Sequence, residues 1–179
     1  MTDSLVDKKT VCVITGPTRG LGKSIALLLA QKLPKGSLFI LLSRNESLLV
    51  SVASKVKENN DINAVWAIFD QGSADGDSNE NILRDSLSNA GVSPKEFEQA
   101  MLINNAGTLE PCEYVRDLGK LDELTHYFKV NLAGCMTLTA SFLKVFGAVD
   151  VKIRTVVNIS SLAGISPIKS WSPYCMGQY

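Results

Sequence analysis

The sequence predicts an α/β fold: one parallel sheet, doubly wound by helices, with strand order 3-2-1-4-5. Three observations point to it. Short β-branched runs alternate with longer helical stretches along the 179 residues, which is the rhythm of successive βαβ units. The run SLFILLS at 37–43 is too apolar to face water on either side, as a strand covered by helices on both faces must be. The first strand opens at once into a glycine-rich turn, and a helix follows directly.

Taken in order, TVCVIT at 10–15 is the first strand. LGKSIALLLAQKL at 21–33 repeats apolar residues at helical spacing until Pro34 and Gly36 stop it. After the second strand, NESLLVSVASKVKENN at 45–60 forms a helix with Asn45 as its N-cap and an Asn60-Asp61 stop. INAVWAIFD at 62–70 is the third strand, SNENILRDSLSNAG at 78–91 a helix, and AMLINNAG at 100–107 a fourth strand that opens into a glycine turn. The stretch 120–146 is long and periodic enough for one helix despite Gly134, and KIRTVVNISS at 152–161 supplies the fifth strand. The stretches 70–80 and 108–120 read as loops, because each joins elements of the same alternation, within one domain spanning 1–179.

Composition narrows the partners. The chain is 45% hydrophobic and 20% charged, and its 18 Lys+Arg balance 18 Asp+Glu, so nothing biases it toward nucleic acid or an anionic membrane. The start MTDSLVDKK lacks the basic region and apolar run of a secretory signal, and no apolar stretch is long enough to span a bilayer. A cytoplasmic protein is expected. Cys12, Cys112, Cys135 and Cys175 show no C-x-x-C spacing, so neither a metal nor a disulfide framework is expected. His126, the single histidine, has no second ligand at metal spacing and reads as a helix-surface or packing residue.

Ligands in such sheets bind beyond the carboxyl ends of the strands. At the end of the first strand stands Thr15-Gly16-Pro17-Thr18-Arg19-Gly20-Leu21-Gly22. Glycines let backbone amides approach a pyrophosphate, and the following helix N-terminus adds partial positive charge. The expected cradle therefore comprises Gly16, Thr18, Arg19, Gly20, Leu21 and Gly22, with T-G-x-x-x-G-x-G spacing in place of G-x-G-x-x-G. The second strand ends in Ser43-Arg44-Asn45, where an NAD-binding protein carries an acidic residue for the ribose hydroxyls. Arg44 can pair with a 2′-phosphate and Arg19 can add a second charge, which favours NADP(H); two solvated surface arginines are the alternative.

With LINNAG and VVNISS added, the sequence resembles the short-chain dehydrogenase/reductase family. The family's marks fall in order: T-G-x-x-x-G-x-G, N-N-A-G, a helix asparagine, a serine after the fifth strand, and Y-x-x-x-K. Within it, LLSRN, LINNAGTLE, RTVVNISSLAG and WSPYCMG resemble the branch that reduces a pterin side-chain ketone in tetrahydrobiopterin biosynthesis. The resemblance implies a Rossmann-type domain with NADPH as cofactor and a small-molecule carbonyl, a pterin, as substrate. It places Asp70, with Gln71 and Asn45 beside the nucleotide, at the adenine end, and Asn104, Asn105, Ala106 and Gly107 on the floor near the cofactor ribose. It makes Asn131 the holder of a proton-relay water, Ser161 the group that positions the carbonyl, and Tyr174 the proton donor. Ser161 is preferred to Ser160 because it stands 13 residues before Tyr174, the family interval. For the asparagines, bracing of the backbone is the simpler role. A homodimer through the helix carrying Asn131 and the helix after Tyr174 is also implied.

The pattern breaks at position 178, where glutamine stands in place of the family lysine. A free tyrosine ionises at about 10, and a lysine cation lowers that value by stabilising the phenolate. Glutamine can hydrogen-bond a ribose hydroxyl but brings no charge. Low turnover with a smaller loss of dinucleotide affinity is therefore expected, and Gln178→Lys alone is not expected to restore full activity. Relatives continue past the tyrosine into a helix and further strands, so the chain reads as C-terminally truncated, lacking the last family strands and leaving the fifth strand as an apolar edge. An NADPH-dependent carbonyl reductase, another short-chain carbonyl reductase, a non-catalytic NADP-binding or partner-binding variant, and an unstable fragment all stay open.

Overall fold

The computed structural model describes residues 5–59, 61–147 and 151–178. Five parallel strands, β1 (Thr10–Thr15), β2 (Leu38–Ser43), β3 (Asn63–Ile68), β4 (Gln99–Asn104) and β5 (Ile153–Asn158), form one sheet in the order β3-β2-β1-β4-β5. The predicted order is the observed one. The chain winds from β1 to β3 and then crosses to β4, so the direction of winding reverses between β1 and β4, and a crevice opens there beyond the strand ends.

Alternation along β1 divides the core. Val11 and Val13 face α3 (Gly76–Asn89) and α5 (Gly134–Val145), packing with Ile40, Leu83, Leu102, Leu138 and Phe142. Cys12 and Ile14 face α1 (Gly20–Lys32) and α2 (Glu46–Lys57), packing with Ala26, Ala30, Phe39, Val52 and Ile103. All six β1 residues are buried, whereas β5, paired only with β4, keeps Ile153, Thr155, Val156 and Val157 half-exposed, as expected of an edge.

The expected long helix is continuous from 121 to 145 but changes pitch. It runs as α4 (Leu121–Phe128), a π-helical segment (Lys129–Ala133) and α5. Gly134 does not break it. A Cβ at Gly134 would fall on the backbone carbonyl of Gln71 and 2.6 Å from Gln71 Cγ, so glycine there permits close packing of the helix on the loop after β3.

One boundary moves. α3 begins at Gly76, inside the stretch read as a loop, because Asp75 caps it by accepting from the Ser78 N–H at 2.8 Å. The loop 108–120 contains only a 3₁₀ turn at Val115–Asp117. Asn45 caps α2 as expected, accepting from the Leu48 N–H at 3.0 Å. Of the expected helix stop, Asn60 lies outside the described residues, while Asp61 turns the chain with φ +53°. The last element is α6 (Ser172–Gln178), and Tyr179 lies outside the described residues. Among the described residues, no helix is long and apolar enough to cross a membrane and no cluster of ligating side chains could hold a metal ion.

Candidate active site

The glycine turn is pressed against the end of β4. A Cβ at Gly22 would overlap the Gly16 carbonyl and the Asn105 side chain, and one at Gly16 (φ +65°) would come 3.1 Å from Asn105 Nδ2 and 3.2 Å from Ala106 Cα. Gly20 has free space around it but adopts φ +52°, so backbone conformation is its reason. The first turn of α1 has no side-chain cap from Arg19 and no acidic residue. Its N–H groups and its positive end are left for an anion.

Thr15 holds the two strand ends together. Its buried hydroxyl accepts the Asn105 N–H at 3.0 Å and the Ala106 N–H at 2.9 Å. Asn105 returns its amide to the Thr15 and Gly16 carbonyls at 3.0 and 3.1 Å. The floor of the crevice is thus fixed to the glycine turn.

Of the fourteen residues assigned to a dinucleotide from the sequence, thirteen line one cleft of about 790 Å³, and Asn104 does not. Within it, Arg19 and Arg44 are exposed and have no ion-pair partner among the described residues. Two of the thirteen have a second task. Asn45 uses its side-chain oxygen as the α2 cap. Gln71, 5% exposed, points its amide away from solvent and donates to Ala106 O at 3.1 Å and to Val130 O at 2.7 Å. It thereby bridges the floor to a carbonyl of the π-helical segment. Sequence reasoning missed Leu48, Phe69, Val130 and His126 as cleft residues. For His126, expected on a helix surface or in packing, the helical spacing to Val130 was the available signal.

A second cavity of about 940 Å³ gathers Asn131, Ser161 and Tyr174 with Trp171 and Gln178. The two serines are separated by their partners. Ser160 donates to the Gln178 carbonyl at 2.9 Å, whereas Ser161 accepts the Ala163 N–H at 3.2 Å and keeps its own proton for another acceptor. Tyr174 meets the Trp171 ring edge-on, 5.9 Å between centroids. Asn131, in the π-helical segment, accepts from Thr108 N at 2.9 Å and donates to Thr108 O at 2.8 Å, which is the bracing role. Asn104 donates to Thr139 at 3.1 Å and to Asn158 at 2.9 Å, joining β4 to α5 and β5. Burial pushes the Tyr127 phenol upward, opposed by Asn131, and raises the Cys135 thiol, opposed by Gln71. The two cavities share Asn105, Ala106, Gly107 and Thr108, so one crevice runs from Arg44 to Tyr174 over a common floor.

Known proteins resemble this chain in sequence and in fold. Sepiapterin reductase of Xenopus tropicalis is 35% identical over 171 residues, covering 94% of this chain and 63% of the relative. Sepiapterin reductase of Rattus norvegicus is 34% identical with the same coverage, and benzil reductase ((S)-benzoin forming) of Bacillus subtilis is 32% identical over 163 residues, 91% of this chain and 59% of the relative. The chain therefore spans less than two thirds of the length of these relatives. In fold it is similar to NAD+-bound xylitol dehydrogenase, with a TM-score of 0.79 at 20% identity over 98% of this chain and 61% of the other. A short chain dehydrogenase of Escherichia coli CFT073 complexed with NADPH gives a TM-score of 0.79 at 22% identity, over 97% of this chain and 67% of the other. The family model described as short chain dehydrogenase matches residues 10–177, from the first strand through the helix bearing Tyr174, and the chain belongs to that family of oxidoreductases.

Proposed function

We propose that the chain is the dinucleotide-binding part of an NADPH-dependent carbonyl reductase of the sepiapterin reductase type, acting on a pterin side-chain ketone. The observation that carries this reading is the shared floor at Asn105–Thr108, which joins the glycine turn and Arg44 to Ser161 and Tyr174. The residues present fit the cofactor. Gly16 and Gly22 keep the turn clear of side chains, the acid-free first turn of α1 suits a pyrophosphate, and Arg44 with Arg19 suits a ribose 2′-phosphate. Asn105, Ala106 and Gly107 would line the ribose.

Bound NADPH supplies the hydride. The chain's own task is the carbonyl oxygen, on which negative charge grows as reduction proceeds. The Ser161 hydroxyl is oriented to donate, because the Ala163 N–H occupies one of its lone pairs, and the Tyr174 phenol delivers the proton. Asn131 and Gln71 keep the floor in place under these groups. Gln178 lines the same cavity but carries no charge. That observation favours a second reading, a chain that binds NADPH without turning over substrate.

Fluorescence titration with NADPH and NADH, followed by NADPH oxidation assays with sepiapterin and simple ketones, tests both. NADPH is expected to bind about tenfold more tightly than NADH, the worth of one charge-assisted phosphate contact. Slow oxidation that disappears in Tyr174→Phe supports the reductase, and binding with no oxidation supports the second reading. A chain that takes up neither nucleotide overturns both.

A further inference from the structure

We infer that His126 determines cofactor affinity: its imidazole forms the wall against the adenine ring at the far end of the dinucleotide cleft. The inference rests on the dinucleotide reading above. With the pyrophosphate at the glycine turn and the 2′-phosphate at Arg44, the base joined to that same ribose is left the end of the cleft closed by Leu48, Phe69, Asp70, Val130 and His126. His126 and Val130 stand one helical turn apart, on either side of the junction between α4 and the π-helical segment. They converge on Gly72 together with Asp70. A Cβ at Gly72 would come 2.9 Å from Val130 Cγ2, 3.6 Å from Asp70 Oδ1 and 3.7 Å from His126 Cε1.

Three side chains of different chemistry thus pack around Gly72, too closely to admit even a methyl group there, and all three reach the lining of the cleft. An adenine has two apolar faces and an amino edge. The Val130 methyls suit a face, the Asp70 carboxylate, whose Oδ1 also accepts the Gly72 N–H at 3.1 Å, suits the amino group, and His126 brings an exposed aromatic ring to the same part of the lining. Phe69, the other ring at this end, is 4% exposed and belongs to the core. Among the described residues the His126 nitrogens have no hydrogen-bond partner that would hold the ring away from a ligand.

The test uses the whole chain with His126→Ala and His126→Phe, titrated with NADPH and with adenosine 2′,5′-bisphosphate, which carries the adenine and 2′-phosphate but no nicotinamide. His126→Ala is expected to weaken both ligands by about three- to tenfold, the range of a single aromatic contact, with an unchanged urea midpoint. His126→Phe is expected to stay within about twofold of the parent for both. Unchanged NADPH affinity in His126→Ala overturns the inference. So does a loss confined to NADPH, which would put the residue elsewhere along the nucleotide, or a His126→Phe variant as weak as His126→Ala. A parent chain that binds neither ligand brings down the dinucleotide reading itself, whereas a parent that binds and a His126→Ala variant that binds equally well bring down this inference alone.

Discussion

Gly134→Ala sets helix propensity against packing, and the two predict opposite signs. In a helix interior alanine is favoured over glycine by about 0.8–1.0 kcal/mol, so propensity alone makes the variant more stable. The added Cβ, however, would overlap the Gln71 carbonyl oxygen and lie 2.6 Å from Gln71 Cγ and 3.0 Å from Gln71 C. The nearest atom is backbone and cannot rotate away. The Gln71 side chain is also held by hydrogen bonds to Ala106 O at 3.1 Å and Val130 O at 2.7 Å, so relief requires moving the loop after β3 and loosening these bonds. Overpacking costs about 1–3 kcal/mol and each weakened hydrogen bond about 1 kcal/mol. The net expectation is a destabilisation of about 2 kcal/mol. With a urea slope of about 2 kcal/mol/M for a domain of this size, the unfolding midpoint should fall by about 1 M. Circular dichroism in urea measures this, and a parallel NADPH titration should show weaker binding because Gln71 braces the cleft floor. A midpoint equal to or above that of the parent would refute the packing argument and leave Gly134 as a plain weakness in the helix.

Thr15→Val keeps the shape of the side chain but removes the acceptor shared by Asn105 N and Ala106 N; a loss of about 1–3 kcal/mol in urea unfolding is expected, with Thr15→Ser retaining most of the stability. Cys12 is fully buried, and burial pushes its thiol up to about 12. Above the ordinary thiol value the unfolded chain loses a proton that the folded chain keeps, so stability falls as pH rises, by about 1.4 kcal/mol per unit from this one group. Cys12→Ala should remove that share of the slope between about pH 9 and 11, and an unchanged slope would contradict it. Gly177→Ala would place a Cβ on the phenolic oxygen of Tyr127, which is 0% exposed. Displacement of α6 should lower carbonyl turnover by about 10- to 100-fold while NADPH affinity stays within about twofold, since no α6 residue lines the dinucleotide cleft. An equal loss in both would show that the damage is general.

Much of the fold was legible because its signals are local. The β-branched run ending at Thr15, the glycines at 16, 20 and 22, and the Asn45 cap each act through the conformation of a few consecutive residues. The start of α3 was not legible, because its Asp75 cap sits among Gly, Ser and Asp residues that suit a loop equally well. Gly134 was legible as a helical position, but the reason for it lay 63 residues away at Gln71.

Taken by itself, the sequence determined the alternation of strands and helices, the strand order, the place of the glycine turn, the arginine after the second strand and the order of Ser161 and Tyr174. These follow from periodicity, backbone freedom and the handedness of crossovers, all of which short stretches encode. Only the tertiary structure decided that Asn131 braces Thr108, that Gln71 turns its amide to Val130 O, that Ser160 serves Gln178 while Ser161 keeps its proton, and that His126 enters the cleft. Those partners are far apart along the chain, and a side chain's hydrogen bonds are settled by which elements the packed core brings beside it.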